Sequence, residues 1–226
     1  MYAHKKKFHV AVDCIIFGFD SQELKLLCIK RDFEPEKGKW SLMGGFLKEE
    51  EDIDQAAERV LFQLTGLKEI YLEQLQAYGE RTRDPAGRVI SIAYYSLIDS
   101  ARFDQQISRK FDARWFSLDH LPHLVFDHQA MVEKAIRRLQ RKCRTQPVGF
   151  ELLPEKFTLP QLQLLYEEIF GRRFDKRNFR KKILSMGILK KLEEKDKGGS
   201  KKGAYLFRFD KQKYNSLMDS GFNFEI

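Results

Sequence analysis

Residues 44–67 read GGFLKEEEDIDQAAERVLFQLTGL, and the reading of this stretch decides the fold. Two glycines and a phenylalanine open it, acidic residues follow, residues 52–64 read as a helix, and Gly66 stands where that helix should stop. Working outward, β-rich runs lie on both sides. FHVAVDCIIFGF (8–19) and LKLLCIKR (24–31) flank the turn-prone DSQE, which predicts a hairpin. Downstream, YLEQLQAYGER (71–81) and RVISIAYYSLI (88–98) are joined by the turn signal DPAG, and ARWFSL (113–118) predicts another short strand. Asp127 is placed to cap HQAMVEKAIRRLQRKCR, whose basic residues come late, where they complement the helix dipole. Strands alternating with helices in this way predict an α/β domain that this last helix closes.

A chain of 226 residues exceeds one small core, and two modest domains are expected. Between Thr145 and Pro154 the sequence TQPVGFELLP loses periodicity and holds two prolines and a glycine. The expected division is 1–147 and 148–226. Asp13 interrupts the apolar run near the start, no cleavage site follows, and no stretch approaches a membrane span, so no signal peptide and no membrane partner are expected. Cys14, Cys28 and Cys143 are odd in number and form no CxxC pair, which suggests neither disulfides nor zinc and fits a reduced cytoplasm. No cofactor is expected.

The charge is unevenly spread. Residues 1–147 hold 24 lysines and arginines against 22 acids, a surplus of 2, whereas residues 148–226 hold 17 against 11, a surplus of 6. A polyanionic partner for the second half follows from that asymmetry. There, Thr158 to Gln161 fits a capping box ahead of an apolar-faced helix that Gly171 ends, and Asp175 can cap KRNFRKKILSM, which Gly187 ends. ILKKLEE and AYLFRF then read as strands around KDKGGSKKG, with Tyr205, Phe207 and Phe209 expected on one half-buried face. Helix, turn, helix and a hairpin with a Gly/Lys-rich tip is the order of a winged helix-turn-helix. Winding the second helix puts Phe179, Ile183 and Met186 on one side and Arg177, Asn178 and Lys181 opposite. Arg and Asn can reach base edges in the major groove, while Arg172, Arg173, Lys176 and Lys182, with Lys197, Lys201 and Lys202 at the hairpin tip, are expected at phosphates. The plain alternative for such a run is a solvated face, or a module that binds RNA or protein.

The spacing of Gly45, Glu51, Arg59, Leu61, Gly66 and Leu67 resembles the Nudix box. In active Nudix hydrolases, magnesium held by glutamates on this helix activates water, and three carboxylates at i, i+3 and i+4 gather around it. Here those positions are Val60, Gln63 and Leu64. The resemblance therefore implies a Nudix-like α/β/α sandwich with a mixed sheet, catalytically silent, with no metal and no catalytic residues assigned. Glu49 to Glu51 remain as possible relocated ligands in the alternative of a surviving hydrolase, and a groove merely filled by core would leave a dimerisation platform.

Joined to the second half, including RDPAGRVISIAYYSL (83–97) and LLPEKFTLPQLQLLYEEIFGRRFDKRNFRKKIL (152–184), the chain resembles the Nudix-related transcriptional regulators of bacteria. That resemblance implies a homodimer, a ligand-sensing Nudix domain and a winged helix on double-stranded DNA with a palindromic operator. Some relatives answer to ADP-ribose-like nucleotides and others control sugar use. Loss of the metal-holding carboxylates favours a neutral effector, a pentose or related sugar, docking near Asp13, Lys30, Phe46, Glu51 and Gln63. Lys30, Arg31 and Arg81 could instead hold a phosphate directly. Glu51 and Arg59 have an ordinary alternative as a brace between loop and helix. Effector binding is expected to release the repressor from DNA.

Overall fold

The computed structural model describes residues 6–107, 111–198, 203–222 and 224–226. The chain forms two compact units, one of Met1–Phe19 with Lys25–Ala135, the other of Asp20–Leu24 with Ile136–Ile226. Among the described residues no helix is long and apolar enough to cross a membrane.

The first unit is built on β1 (His9–Phe19), β2 (Leu24–Lys30), β3 (Trp40–Ser41), β4 (Met43–Phe46), β5 (Glu73–Tyr78), β6 (Val89–Asp99) and β7 (Arg114–Ser117). The sheet runs β3-β2-β1-β6-β5, with β4 on β1 and β7 on β2. β1 and β6 are parallel, whereas β4, β5 and β7 pair antiparallel, so the sheet is mixed. From Ala11 onward β1 is buried on both faces, as a strand between two layers must be. One layer is α1 (Ile53–Thr65), whose Ala56, Ala57, Val60 and Leu61 pack with Val12, Cys14 and Ile16. Strand alternation then sends Ala11, Asp13 and Ile15 to the other face. After the short α2 (Ser100–Phe103), α3 (His128–Thr145) begins on that face, bringing His128 to Asp13. Asp52 and Gln55 form a capping box at the start of α1, and Gly66 ends it at φ +82°.

The second unit contains the end of α3, then β8 (Phe157–Thr158), α4 (Leu159–Phe170), α5 (Lys176–Ser185), β9 (Leu189–Asp196), β10 (Ala204–Phe209) and α6 (Lys211–Asp219). Its sheet has the order β8-β10-β9. The expected caps form: Thr158 and Gln161 exchange hydrogen bonds at α4, and the Asp175 side chain accepts from the Asn178 amide at α5. Leu162, Leu165 and Tyr166 of α4 are buried with Phe179 and Ile183 of α5, and the rings of Phe174 and Phe179 stack at 5.8 Å.

Packing assigns the last residues of α3 to the second unit, where Gln140 donates to the Ile169 carbonyl and Arg144 lies over Phe170. Two expectations are corrected. Tyr205 is not half-buried as expected: it is 37% exposed, whereas Phe207, two residues further along β10, is buried. Asp127 was placed as a helix cap, yet both its carboxylate oxygens take Arg83.

Candidate functional site

The loop after β4 is tied to α1 by one guanidinium. Arg59 donates through Nε to Glu51 Oε2 at 2.7 Å, through Nη2 to the other Glu51 oxygen and to the Phe46 carbonyl, and through Nη1 to Gln63 Oε1 at 3.1 Å. Glu51 also accepts from the Lys48 amide. The Arg59 hydrogen bond holds the Glu51 carboxyl down at about 2, so it is ionised throughout the neutral range. Thus Phe46, Glu51 and Gln63, named from the sequence as effector contacts, are brought together by Arg59, and all three give it an acceptor, Phe46 through its carbonyl and the other two through their side chains. Val60 is 2% exposed and fills the space beside Gly45, and Leu64 packs partly against the same core. At the three helix positions where the box expects carboxylates, Val60 and Leu64 carry hydrocarbon and Gln63 an amide already bonded to Arg59. Among the described residues no group of three or more His, Cys, Asp or Glu could hold a metal ion.

Asp13 belongs to a second, buried polar cluster. Its Oδ2 accepts from Ser91 Oγ at 2.6 Å and from Arg83 Nη2 at 3.3 Å, while its Oδ1 lies 3.5 Å from His128 Nε2. Arg83 closes the cluster on Asp127 with two further hydrogen bonds of 2.9 and 2.8 Å. The Leu42 amide donates to His128 Nδ1, which fixes the tautomer: that nitrogen is the acceptor, and the ring proton sits on Nε2, facing Asp13. Burial keeps this histidine neutral by pulling its pKa below the ordinary range. Asp13 is therefore a buried, fully partnered member of this cluster rather than an exposed ligand hook.

Lys30 and Arg81 are both exposed, Lys30 at the end of β2 opposite Trp40, Arg81 in the segment after β5. Next to Lys30 stands Arg31, whose guanidinium lies 4.2 Å from the Phe33 ring centroid and 5.1 Å from that of Phe126, with Nε donating to the Pro35 carbonyl. Arg83, His128 and Asp127 were missed from the sequence as members of the buried cluster; the RDPAG segment that carries Arg83 was seen only as a turn. The three cysteines are buried and free, and burial pushes the Cys28 and Cys143 thiols up to about 12, which leaves them unreactive.

On α5 the division into faces is as expected. Phe179 and Ile183 are buried, whereas Lys176, Arg177, Asn178, Lys181 and Lys182 are exposed, as is Arg172 in the turn before the helix. Arg172, Asn178, Lys181 and Lys182 line one cleft of about 560 Å³. Arg173 is less free than expected, because Glu167 takes its guanidinium at 2.8 Å while also accepting from the Phe174 amide and Gln163. Lys182 lies 3.4 Å from Glu225. Lys201 and Lys202 lie outside the described residues.

Comparison with known proteins joins these halves. Residues 7–139 match the NUDIX domain and residues 149–209 the NrtR DNA-binding winged helix domain. Over 219 residues the chain is 34% identical to the ADPR responsive transcriptional repressor NtrR of Acinetobacter baylyi, covering 95% of this chain and 85% of that protein. The crystal structure of Shewanella oneidensis NrtR complexed with a 27mer DNA superposes with a TM-score of 0.75 at 30% identity, over 88% of this chain and 93% of that one. The NUDIX domain of the same Shewanella protein complexed with ADP ribose gives a TM-score of 0.54 at 32% identity, over 60% of this chain and 90% of that one. An exposed cationic helix behind a Nudix unit, matched from end to end by regulators of that build, makes this chain a member of the NrtR-type transcriptional regulators, which join a Nudix domain to a DNA-binding winged helix.

Proposed function

We propose that this chain is a repressor whose Nudix unit takes ADP-ribose, and that the bound nucleotide lowers its affinity for an operator. The observation that carries this reading is the 34% identity running through 95% of the chain to a repressor named for its response to ADP-ribose. The pentose expected from the sequence is withdrawn. That expectation rested on the premise that a diphosphate needs a metal to meet its charge, and the Nudix domain of Shewanella NrtR, 32% identical, takes ADP ribose. In this chain cations can serve instead. Arg31, stiffened between two rings, presents a guanidinium suited to phosphate oxygens, and Lys30 and Arg81 are exposed. Phe46, 56% exposed with His9 5.4 Å away, offers aromatic surface for a base or ribose.

No hydrolysis belongs to this reading, because Glu51 is engaged by Arg59 and Val60 is core. Residues 1–147 act as the sensing and dimerising part and residues 148–226 as the DNA-binding part, a homodimer matching a palindromic operator in the cytoplasm. Arg177, Asn178 and Lys181 read bases, and Arg172, Lys176 and Lys182 meet phosphates.

The test is a fluorescence-anisotropy titration of the full chain on a duplex it has itself selected from a random-sequence library, in EDTA. ADP-ribose should weaken binding without any metal, and pentoses should not. Unchanged affinity with ADP-ribose, or release by a free pentose, sinks the proposal.

A further inference from the structure

The helix α5 carries Lys176, Arg177, Arg180, Lys181 and Lys182, and Asp175, the acid at its start, is spent capping the Asn178 amide. A second acid reaches this helix from far along the chain: Glu225 Oε2 lies 3.4 Å from Lys182 Nζ. An exposed ion pair alone says little, because two long side chains seldom stay in one geometry. Here the backbone under Glu225 is held on both sides. Phe224 is 1% exposed, among the largest fully buried side chains of the molecule. The Ile226 amide donates at 3.3 Å to the carbonyl of Arg144, one of those that the end of α3 leaves without a partner inside the helix. Ile226 also forms a wall of the cleft that runs along α5 past Arg172, Asn178, Lys181 and Lys182.

Anchored in this way, Glu225 gives up little freedom when it pairs, and its carboxylate stands in front of Lys182 as a tethered anion. It does nothing for the helix itself. Lys182 lies in the last turn of α5, where a cation suits the helix dipole and a carboxylate opposes it. What a carboxylate offers an ammonium group is what a backbone phosphate offers it, an opposite charge and oxygen acceptors. The two anions repel each other, so Lys182 cannot serve both well at once.

We propose that residues 224–226 form an acidic strap on the flank of α5, in which Glu225 competes with the duplex for Lys182 and holds down the affinity of the module for DNA. Phe224 and the Ile226 amide anchor the strap, and Glu225 gives way when a phosphate takes its place. The inference rests on the DNA-binding reading and adds to it an autoinhibitory contact. Because the contested contact is to a phosphate, the strap weakens binding to every sequence alike.

The experiment is a double-mutant cycle on the full chain, with affinity for a fluorescein-labelled duplex of mixed sequence measured by anisotropy at low salt. Both side chains are exposed, so neither change threatens the core. Glu225→Gln should tighten binding about 1.5–5-fold, the range of one exposed ion pair, and the gain should fade as salt screens the charges. Lys182→Gln should weaken binding. In the Lys182→Gln background, Glu225→Gln should then change nothing, because the contested cation is gone. An equal gain in both backgrounds means that Glu225 merely repels DNA as any surface acid does, and overturns the strap while leaving the repressor reading intact. No gain, or a loss, in Glu225→Gln alone overturns it too, since Glu225 would then be idle or would be steadying Lys182 for the duplex. Failure of the parent chain to hold any duplex overturns the DNA-binding reading, and the strap with it.

Discussion

Gly44 and Gly45 are small for two different reasons. A Cβ on Gly45 would stand 2.7 Å from Val60 Cγ2, and one on Gly44 would stand 2.4 Å from Asp13 Oδ1. The glycine pair thus lets β4 settle between α1 on one side and the buried carboxylate on the other. Gly45→Ala should destabilise the protein by about 1–3 kcal/mol through overpacking. In a Val60→Ala background, where the opposing methyls are gone, the same change should cost much less. Urea unfolding of the four proteins gives the coupling directly. An equal penalty in both backgrounds would show that Val60 does not set the need for glycine. Much of this neighbourhood was legible, because the box residues are close in sequence and Glu51 with Arg59 already read as a possible brace. The Asp13 cluster was not. Its members Arg83, Ser91, Asp127 and His128 come from distant segments, and nothing in the local pattern says that Arg83 turns inward while Arg81 stays in solvent.

At the level of elements, legibility follows local chemistry. Thr158 with Gln161 and Asp175 announce helix starts because a capping side chain acts within three residues of itself, and both caps form. Thr158→Ala should therefore cost about 1 kcal/mol, seen as a lower thermal midpoint, whereas Gln161→Glu, which preserves the box, should cost little. A Thr158→Ala protein as stable as its parent would mean that the buried apolar face of α4 holds the helix unaided. Elements without a local signature went unread. β3 and β8 are two residues long and exist only through pairing with β2 and β10. α6 went unread for another reason: the Asp210 side chain accepts from the Lys213 amide at its start and Tyr214, Leu217 and Met218 fall at helical spacing, but the helix is short and buries no residue fully. The alternation of Tyr205, Phe207 and Phe209 names a face but not its depth, which pairing and packing set: Phe207 is buried while Tyr205 is 37% exposed.

For the whole molecule, the sequence showed where charge accumulates, and the structure shows how it is disposed: the first unit spends its central cations, Arg59 and Arg83, on internal carboxylates, while α5 and the wing keep theirs outward. Such a division suits a body that senses and a module that docks. If ADP-ribose lowers operator affinity by some factor, thermodynamic linkage requires the operator to lower ADP-ribose affinity by the same factor, whatever route joins the two sites. Couplings of this kind commonly amount to about 5–150-fold. Calorimetric titration of ADP-ribose into the full chain, alone and then saturated with its selected duplex, should therefore give two dissociation constants whose ratio equals the nucleotide-induced loss measured by anisotropy. Arg31→Ala should abolish the nucleotide's effect on DNA and its calorimetric binding together, since both pass through the same occupied groove. An Arg31→Ala protein that no longer binds the nucleotide by calorimetry and is still released from DNA by it, or one that binds and responds as the parent does, would mean that the nucleotide acts at some other place and that Arg31 is not part of the sensor.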